Sequence, residues 1–501
     1  MIVRSRVLCV VSVAVWLAGG VPARAADTWV EVKSAHFTVV SNASDKRARE
    51  VAWQFEQIRS AIVAIWPWVK GDLERPVFVV AAKDANTMKV LTPQYWEARG
   101  QIHPDSVFVT GPDRHYIALR GDARNDDTDA INPYSTSYWA YSALLLDASF
   151  DHDLPPWLRN GLAGVLSNTI VRENEIRLGM APPWYVRTVT GEPRLRLSQL
   201  FAMDPAASYY RDSATRSRFD AQTWALTHYL LFGSPETPAK LDAVLKAVTA
   251  GTPSLNAAQQ AFGDLEALEG AYMLHVRKEL MPYSRLKTET RIAASAFASR
   301  QLAEADALTA RAALHAAMRR PENARALLAE ARKGADPAAG HEVEALLALT
   351  DGSRDAVRAS LAKAEQLGSL NYFTFYRLAM LDLPERPDPE AIALAERRLQ
   401  KAVDLNPFHA GALAVLANTI AMGPAEGRAR ALPLAQKAVT LDPGDLFTRS
   451  TVARALWNAG QRDVALVQAR TALGLASTEQ ERQGVQQLIE FFTKNIASAP
   501  R

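Results

Sequence analysis

The sequence predicts an α+β half followed by an all-α half built from repeated helix pairs. Three observations predict it. Apolar and polar residues alternate in "WVEVKSAHFTVVS" at 29–41, the period of half-buried strands. Strand patterns stop near residue 296, beyond which amphipathic helical stretches of about 12–16 residues alternate with short turns. "KAVDLNP" at 401–407 then recurs as "KAVTLDP" at 437–443, a spacing of 36 that marks an internal repeat. With 501 residues, 48% apolar and 22% charged, the chain has globular composition and length for two or three cores, which excludes a disordered or fibrous protein.

The elements are justified in order. Arg4 and Arg6 precede an apolar run from Val7 to Leu17, and "ARA" at 23–25 supplies small residues at a cleavage site. This is the pattern of a secretory signal over 1–25, too short to span a bilayer, so the mature chain is expected to be periplasmic or secreted, with cleavage near Ala25. Removing the leader takes away Arg4, Arg6 and Arg24 and no acid, which balances 57 basic residues against 54 acidic ones. The basic pI therefore says nothing of nucleic acid, and no nucleic-acid partner is expected. Cys9, the single cysteine, lies inside the leader, leaving the mature chain without thiol, disulfide or cysteine ligand. No later stretch is apolar for long enough to cross a membrane.

Within 26–285, Ser41, Asn42 and Ser44 open a helix over about 45–65, with Val51, Phe55, Ile58 and Ile62 on one side. "PVFVVAA" at 76–82 reads as a buried strand, and "SVFVTG" with "HYIALRG" at 115–121 as a hairpin. Residues 131–170 form two apolar helices, and "FDAQTWALTHYLLFG" at 219–233 forms another. A boundary is expected between about 285 and 300.

In the second half, Ala431, Ala435 and Ala438 share one helical face, and Ala465, Ala469 and Ala472 repeat the spacing after Val452, Ala453, Leu456 and a turn at Gly460. Small residues at these places let paired helices approach closely. The pattern resembles the tetratricopeptide repeat, with a two-residue insertion in "MGPAEGR". Repeats are expected over 371–490, the earliest using Ala395, Leu399, Ala402 and Pro407, and degenerate helical repeats over 296–370. The resemblance implies a solenoid whose concave face carries Asn418 and Arg454 toward a protein or peptide partner.

"LPPWLRNGLAG" at 154–164 carries a second resemblance. Zinc peptidases of the gluzincin type place two His four residues apart on one helix, a Glu beside the first, and a further Glu on a second helix. In many secreted bacterial relatives this reads His-Glu-Tyr-x-His, a loop, then Leu-Pro-x-Trp-Leu-x-Glu-Gly-Leu-Ala-Glu. The stretch at 154–164 matches the second part except for its acids, and "WAYSA" at 139–143 stands in place of the first. With the opening strands and the 219–231 helix, residues 26–285 resemble the peptidase-MA-like family. By that resemblance Trp139 and Ala143 replace the zinc-binding His pair, Ala140 the general base, Asn160 the third ligand and Gly164 a later acid. Asp220 stands where relatives often carry Tyr. Tyr141, Trp157, Leu158, Gly161, Leu162 and Ala163 are kept.

Zinc needs about three imidazole or anionic ligands, and these positions supply none, so no catalytic residue, metal or cofactor is expected. "DHD" at 151–153 reads as a solvated loop, "HE" at 341–342 lacks the second His, and His228 reads as a hydrogen-bonded core histidine. No Gly-x-Ser-x-Gly elbow, phosphate loop or dinucleotide fingerprint occurs. The sequence thus points to an exported, non-catalytic binding protein. A peptide could still pair with an edge strand in the peptidase-like half, and 115–121, with Tyr116, is the candidate. The alternatives are a secreted hydrolase working through another site, and a first half that only caps the repeats.

Overall fold

The structure is a computed structural model describing residues 27–97, 100, 103–123, 132–150, 153–204 and 213–497; the leader, with Cys9, and His152 lie outside them. Its first half is α+β and its second is all helical. Strands β1 (Val30–Lys33), β2 (Phe37–Ser41), β3 (Val77–Ala82), β4 (Ser106–Thr110) and β5 (His115–Arg120) form a mixed sheet with β9 (Ala298–Gln301), in the order β4-β5-β3-β2-β1-β9. β2, β3 and β5 run parallel, and the outer pairings are antiparallel. β6 (Ile170–Val171), β7 (Glu175–Leu178) and β8 (Ser284–Lys287) make a second, small sheet.

Side-chain alternation gives the large sheet two covered faces. Val32, Phe37, Val39, Val77, Val79, Ile117 and Leu119 point into the main core. Helix α1 (Asp45–Ile65) lies there, capped by Ser44, whose hydroxyl accepts from the Arg47 amide at 3.2 Å. Val51, Phe55, Ile58 and Ile62 are buried on it as the spacing predicts. α3 (Ser135–Asp147), α4 (Pro156–Ser167) and α7 (Ser213–Phe232) complete that core, with α5 (Pro183–Gly191), α6 (Leu197–Phe201), α8 (Thr237–Thr249), α9 (Ser254–Phe262) and α10 (Leu265–Val276) around them. The opposite face, Val40, Phe78, Val80, Tyr116 and Ala118, packs against α2 (Ala85–Leu91) and against Leu302, Ala307 and Leu314.

That last contact crosses the expected boundary. Leu302 follows β9, and Ala307 and Leu314 belong to α11 (Glu304–Ala317), within the stretch whose pattern predicts degenerate repeats. The sheet therefore draws an edge strand and a covering helix from beyond residue 285. β9 has the polar sequence "ASRQ" and all four residues are exposed, so no apolar alternation announces it.

A second correction concerns 115–121. β5 pairs with β3 on one side and β4 on the other, so it is an inner strand. Tyr116 is fully buried, its hydroxyl donating to Asp113, and cannot meet a partner.

From Glu304 onward the helices pack in successive pairs: α11 with α12 (Pro321–Ala331), α13 (Ala338–Thr350) with α14 (Arg354–Gln366), α15 (Tyr372–Asp382) with α16 (Pro389–Leu405), α17 (Ala410–Met422) with α18 (Arg428–Leu441), and α19 (Leu446–Asn458) with α20 (Arg462–Leu475). α21 (Glu479–Ala497) packs on α20. On α18 the only buried side chains are Ala431, Ala435 and Ala438, and on α20 only Ala465, Ala469 and Ala472. These two helices thus bury alanine stripes against their neighbours, whereas the second helices of the earlier pairs bury Leu or Val as well. The pairs between 304 and 366 share the arrangement that the sequence made regular only later.

The start of α15 and the ends of α16 and α18 face the α+β half. Tyr372 Oη donates to the Asp113 carbonyl at 2.8 Å, Asn406 Nδ2 to the Glu74 carbonyl at 2.8 Å, and Lys70 Nζ to the Leu441 carbonyl at 3.2 Å. Buried Asp113 also accepts from Arg114, and Glu342 accepts from Asn371 at 3.1 Å. Among the described residues no helix is long and apolar enough to cross a membrane.

Candidate functional site

Three helices define the site. α3 starts where Asn132 ties the chain down: its amide donates to Asn168 Oδ1 at 2.7 Å, beyond the end of α4, and its Oδ1 accepts from the Tyr134 amide at 2.8 Å. α4 opens with Pro at its first turn, where a missing N–H costs nothing. Trp157 then anchors it, fully buried, with Nε1 donating to Ser254 at 2.9 Å and its ring edge-on to Phe201. Gly161 lets α7 press against α4. A Cβ there would lie 2.0 Å from Thr227 Oγ1 and 2.8 Å from the Thr223 carbonyl.

This packing brings together several sequence-predicted positions. Asn160 Nδ2 donates to Asp220 Oδ1 at 2.7 Å across the α4–α7 contact. Asp220 and Trp139 line one hollow of about 230 Å³, together with Trp184, Tyr185, Arg216 and Ser135. Trp139 is half-buried, and the Arg159 guanidinium lies 5.6 Å from its ring centre, held by two bonds of 2.6 Å to Asp147. Ala140 is half-buried. Ala143 is buried in the core and does not reach the hollow wall. Gly164 packs against Trp224, a Cβ there meeting nothing closer than 3.5 Å.

Electrostatically the hollow is unsettled. Burial raises the Asp220 carboxyl above its ordinary value, opposed by the Asn160 bond and by Arg216. Arg216 Nε approaches Asp220 Oδ2 only to 3.7 Å. Tyr185, stacked on Trp224, is buried beside the same carboxylate, and both effects keep its phenol protonated.

Below the hollow, His228 is a hydrogen-bonded core residue, as its sequence context predicts. Its Nε2 donates to the Gly179 carbonyl at 2.9 Å, so Nδ1 accepts from His275 Nε2, also at 2.9 Å. Burial holds His228 down at about 3 and His275 at about 4, so both rings are neutral. His341 bonds Glu344 and Asp336, while Glu342 accepts from Ser369 and Asn371. Among the described residues no group of three His, Cys, Asp or Glu side chains gathers as a metal ion requires.

On the repeat half, Asn418 and Arg454 lie on α17 and α19, which pack together, and Asn418 Oδ1 accepts from Asn458 at 3.2 Å. Arg454 is exposed, and partial desolvation by its surroundings lowers its pKa.

Sequence reasoning missed Trp184 and Tyr185. Their signal was "PPWY" at 182–185, two prolines that end a loop and aim two aromatics from the first turn of α5. It also missed the Asn160–Asp220 bond, because the two residues lie on helices far apart in sequence. The chain matches no protein-family model, and no curated protein matches it.

Proposed function

We propose that the chain is an exported peptidase-MA-like protein that has lost its zinc chemistry, joined to tetratricopeptide-type helix pairs, and that it acts by binding protein or peptide partners. The observation that carries this reading is the Asn160–Asp220 bond beside Trp139. Where the family resemblance would put a metal and its ligands, the chain has a neutral amide satisfied by a carboxylate and an indole wall. Binding falls first to the helix pairs, whose first helices carry Asn418 and the crowded Arg454. No acidic side chain pairs with Arg454 among the described residues, so an acidic position on the partner suits it. If a peptide also pairs with the sheet, β4 is the edge strand on that side, with α3 packed beside it.

The test is the mature chain from residue 26 onward. It should carry no stoichiometric zinc and show no chelator-sensitive proteolysis. It should retain from a periplasmic extract a partner that Arg454→Glu no longer retains. One tightly bound zinc, lost with Asn160→Ala, overturns the reading in favour of a hydrolase. The capping alternative draws on the seating of Tyr372 and Asn406 against the α+β half. A partner retained equally well by the Arg454 variant would support it.

A further inference from the structure

The hollow beside Trp139 has features that the loss of a metal site does not require. Its walls carry three aromatic rings on two helices: Trp139 from α3, and Trp184 and Tyr185 from α5. Asp220, on α7, presents the only carboxylate among its lining residues. Trp184 remains 36% exposed, so this aromatic face has not been closed by the protein itself. At about 230 Å³ the space is below the ~300–1,000 Å³ of typical small-molecule pockets, which suits one side chain or a small amine.

We propose that this hollow binds a primary alkylammonium group, its stem against Trp139, Trp184 and Tyr185 and its charge on Asp220. Three physical points select that chemistry. Aromatic faces attract cations, and Trp does so most strongly; the Arg159 guanidinium over Trp139 is an internal instance. A carboxylate at the base repels anions and accepts only donors. One of its two oxygens, Oδ1, is already engaged by the Asn160 amide at 2.7 Å, while Oδ2 has only the longer 3.7 Å approach of Arg216 Nε, a cation that an incoming ammonium would have to sit beside. A planar guanidinium bonds best to both oxygens of a carboxylate at once, whereas an ammonium is a point charge that can use Oδ2 alone. The half-met carboxylate also gains from a second cation, since burial outweighs what Asn160 and Arg216 give it. The inference concerns the α+β half and stands whether or not the helix pairs bind a partner.

The ammonium can come from a lysine side chain of a peptide or from a free amine. The experiment uses the full mature chain, with tryptophan fluorescence and calorimetry as readouts. The probes are Nα-acetyl-lysine amide, butylamine, Nα-acetyl-arginine amide, Nα-acetyl-norleucine amide and N-acetylglucosamine. Either ammonium probe should bind at least tenfold more tightly than the norleucine amide, and more tightly than the arginine amide. Preference for the lysine amide over butylamine assigns the site to peptides, and the reverse assigns it to free amines. Asp220→Asn should cost tenfold or more in affinity. Trp184→Ala, which alters only a part-exposed ring, should weaken binding in a chain with an unchanged melting curve. Norleucine binding as well as lysine, binding unaffected in both variants, or response to the sugar alone would overturn the proposal.

Discussion

Asn160 and Asp220 face each other across two helices at 2.7 Å, amide donating to carboxylate. The pair works only because one partner is neutral. Asn160→Glu would put two carboxyl groups at that distance, where both cannot be ionised. The shared proton would then be held to a higher pH than in the unfolded chain. Stability would be kept at low pH and lost as pH rises through the raised folded pKa. The expected cost is about 1–3 kcal/mol at pH 8 and less at pH 5, read from denaturant melts at the two values. Adding Trp139→His and Ala143→His, on α3, should complete a zinc site between α3 and α4. Zinc should then raise the melting temperature of the triple variant by several degrees and leave Asn160→Glu alone unmoved.

Two glycines one helical turn apart should behave oppositely. Gly161→Ala drives a Cβ into Thr227 and the Thr223 backbone and is expected to cost upwards of about 2 kcal/mol, because backbone cannot step aside cheaply. Gly164→Ala meets Trp224 at an ordinary 3.5 Å and should be neutral or stabilise by up to ~1 kcal/mol through helix propensity. Paired thermal melts check both. Equal effects would mean that α4 and α7 pack differently from this arrangement.

Truncation should discriminate between boundaries. A chain of residues 26–285 lacks β9 and α11, leaving β1 unpaired on one side and stripping part of the cover, all but α2, from the face that carries Phe78 and Val80. It is expected to aggregate or to melt without cooperativity. A chain of residues 26–318 keeps both elements and should give a sharper transition in the same assay.

Buried histidines predict acid sensitivity. Burial holds His115, His275 and His315 down at about 4, and His228 and His409 at about 3. The unfolded chain takes up protons at these rings from about pH 6.5 downward, before the folded chain does. Their contribution to stability is therefore full above that pH, falls toward about 4, or about 3 for His228 and His409, and levels off below. Glu74, Asp220 and Asp442, whose pKa values are raised, act in the opposite sense, so the slope per residue is the useful measure. His315→Gln should flatten the loss between pH 6.5 and 5 by up to about 1.4 kcal/mol per pH unit.

Legibility in the sequence followed apolar periodicity. α1 lies over 45–65 because Val51, Phe55, Ile58 and Ile62 announce its face, and the alanine stripes of α18 and α20 are visible because close helix contact demands small residues. β9 was illegible because an exposed edge strand needs no apolar residue. β5 was misread as an edge because its six residues carry the same pattern wherever they sit; only β4 and β3 on either side decide. At the site, local motif spacing pointed to Trp139 and Asn160. Their union with Asp220 and Trp184 depends on helix crossing, which one chain's pattern does not encode locally.

The pairing of Val30 with Gln301 has a consequence for synthesis. β1, the earliest strand among the described residues, is flanked at once by β2, yet its other side has no mate until almost the entire α+β half has been translated. During that interval a row of backbone donors and acceptors stands open beside Val32, a ready template for another nascent chain. Assembly of the sheet is thus a late event with high contact order, and closure by "ASRQ" is the step at which the growing polypeptide stops being a hazard to its neighbours.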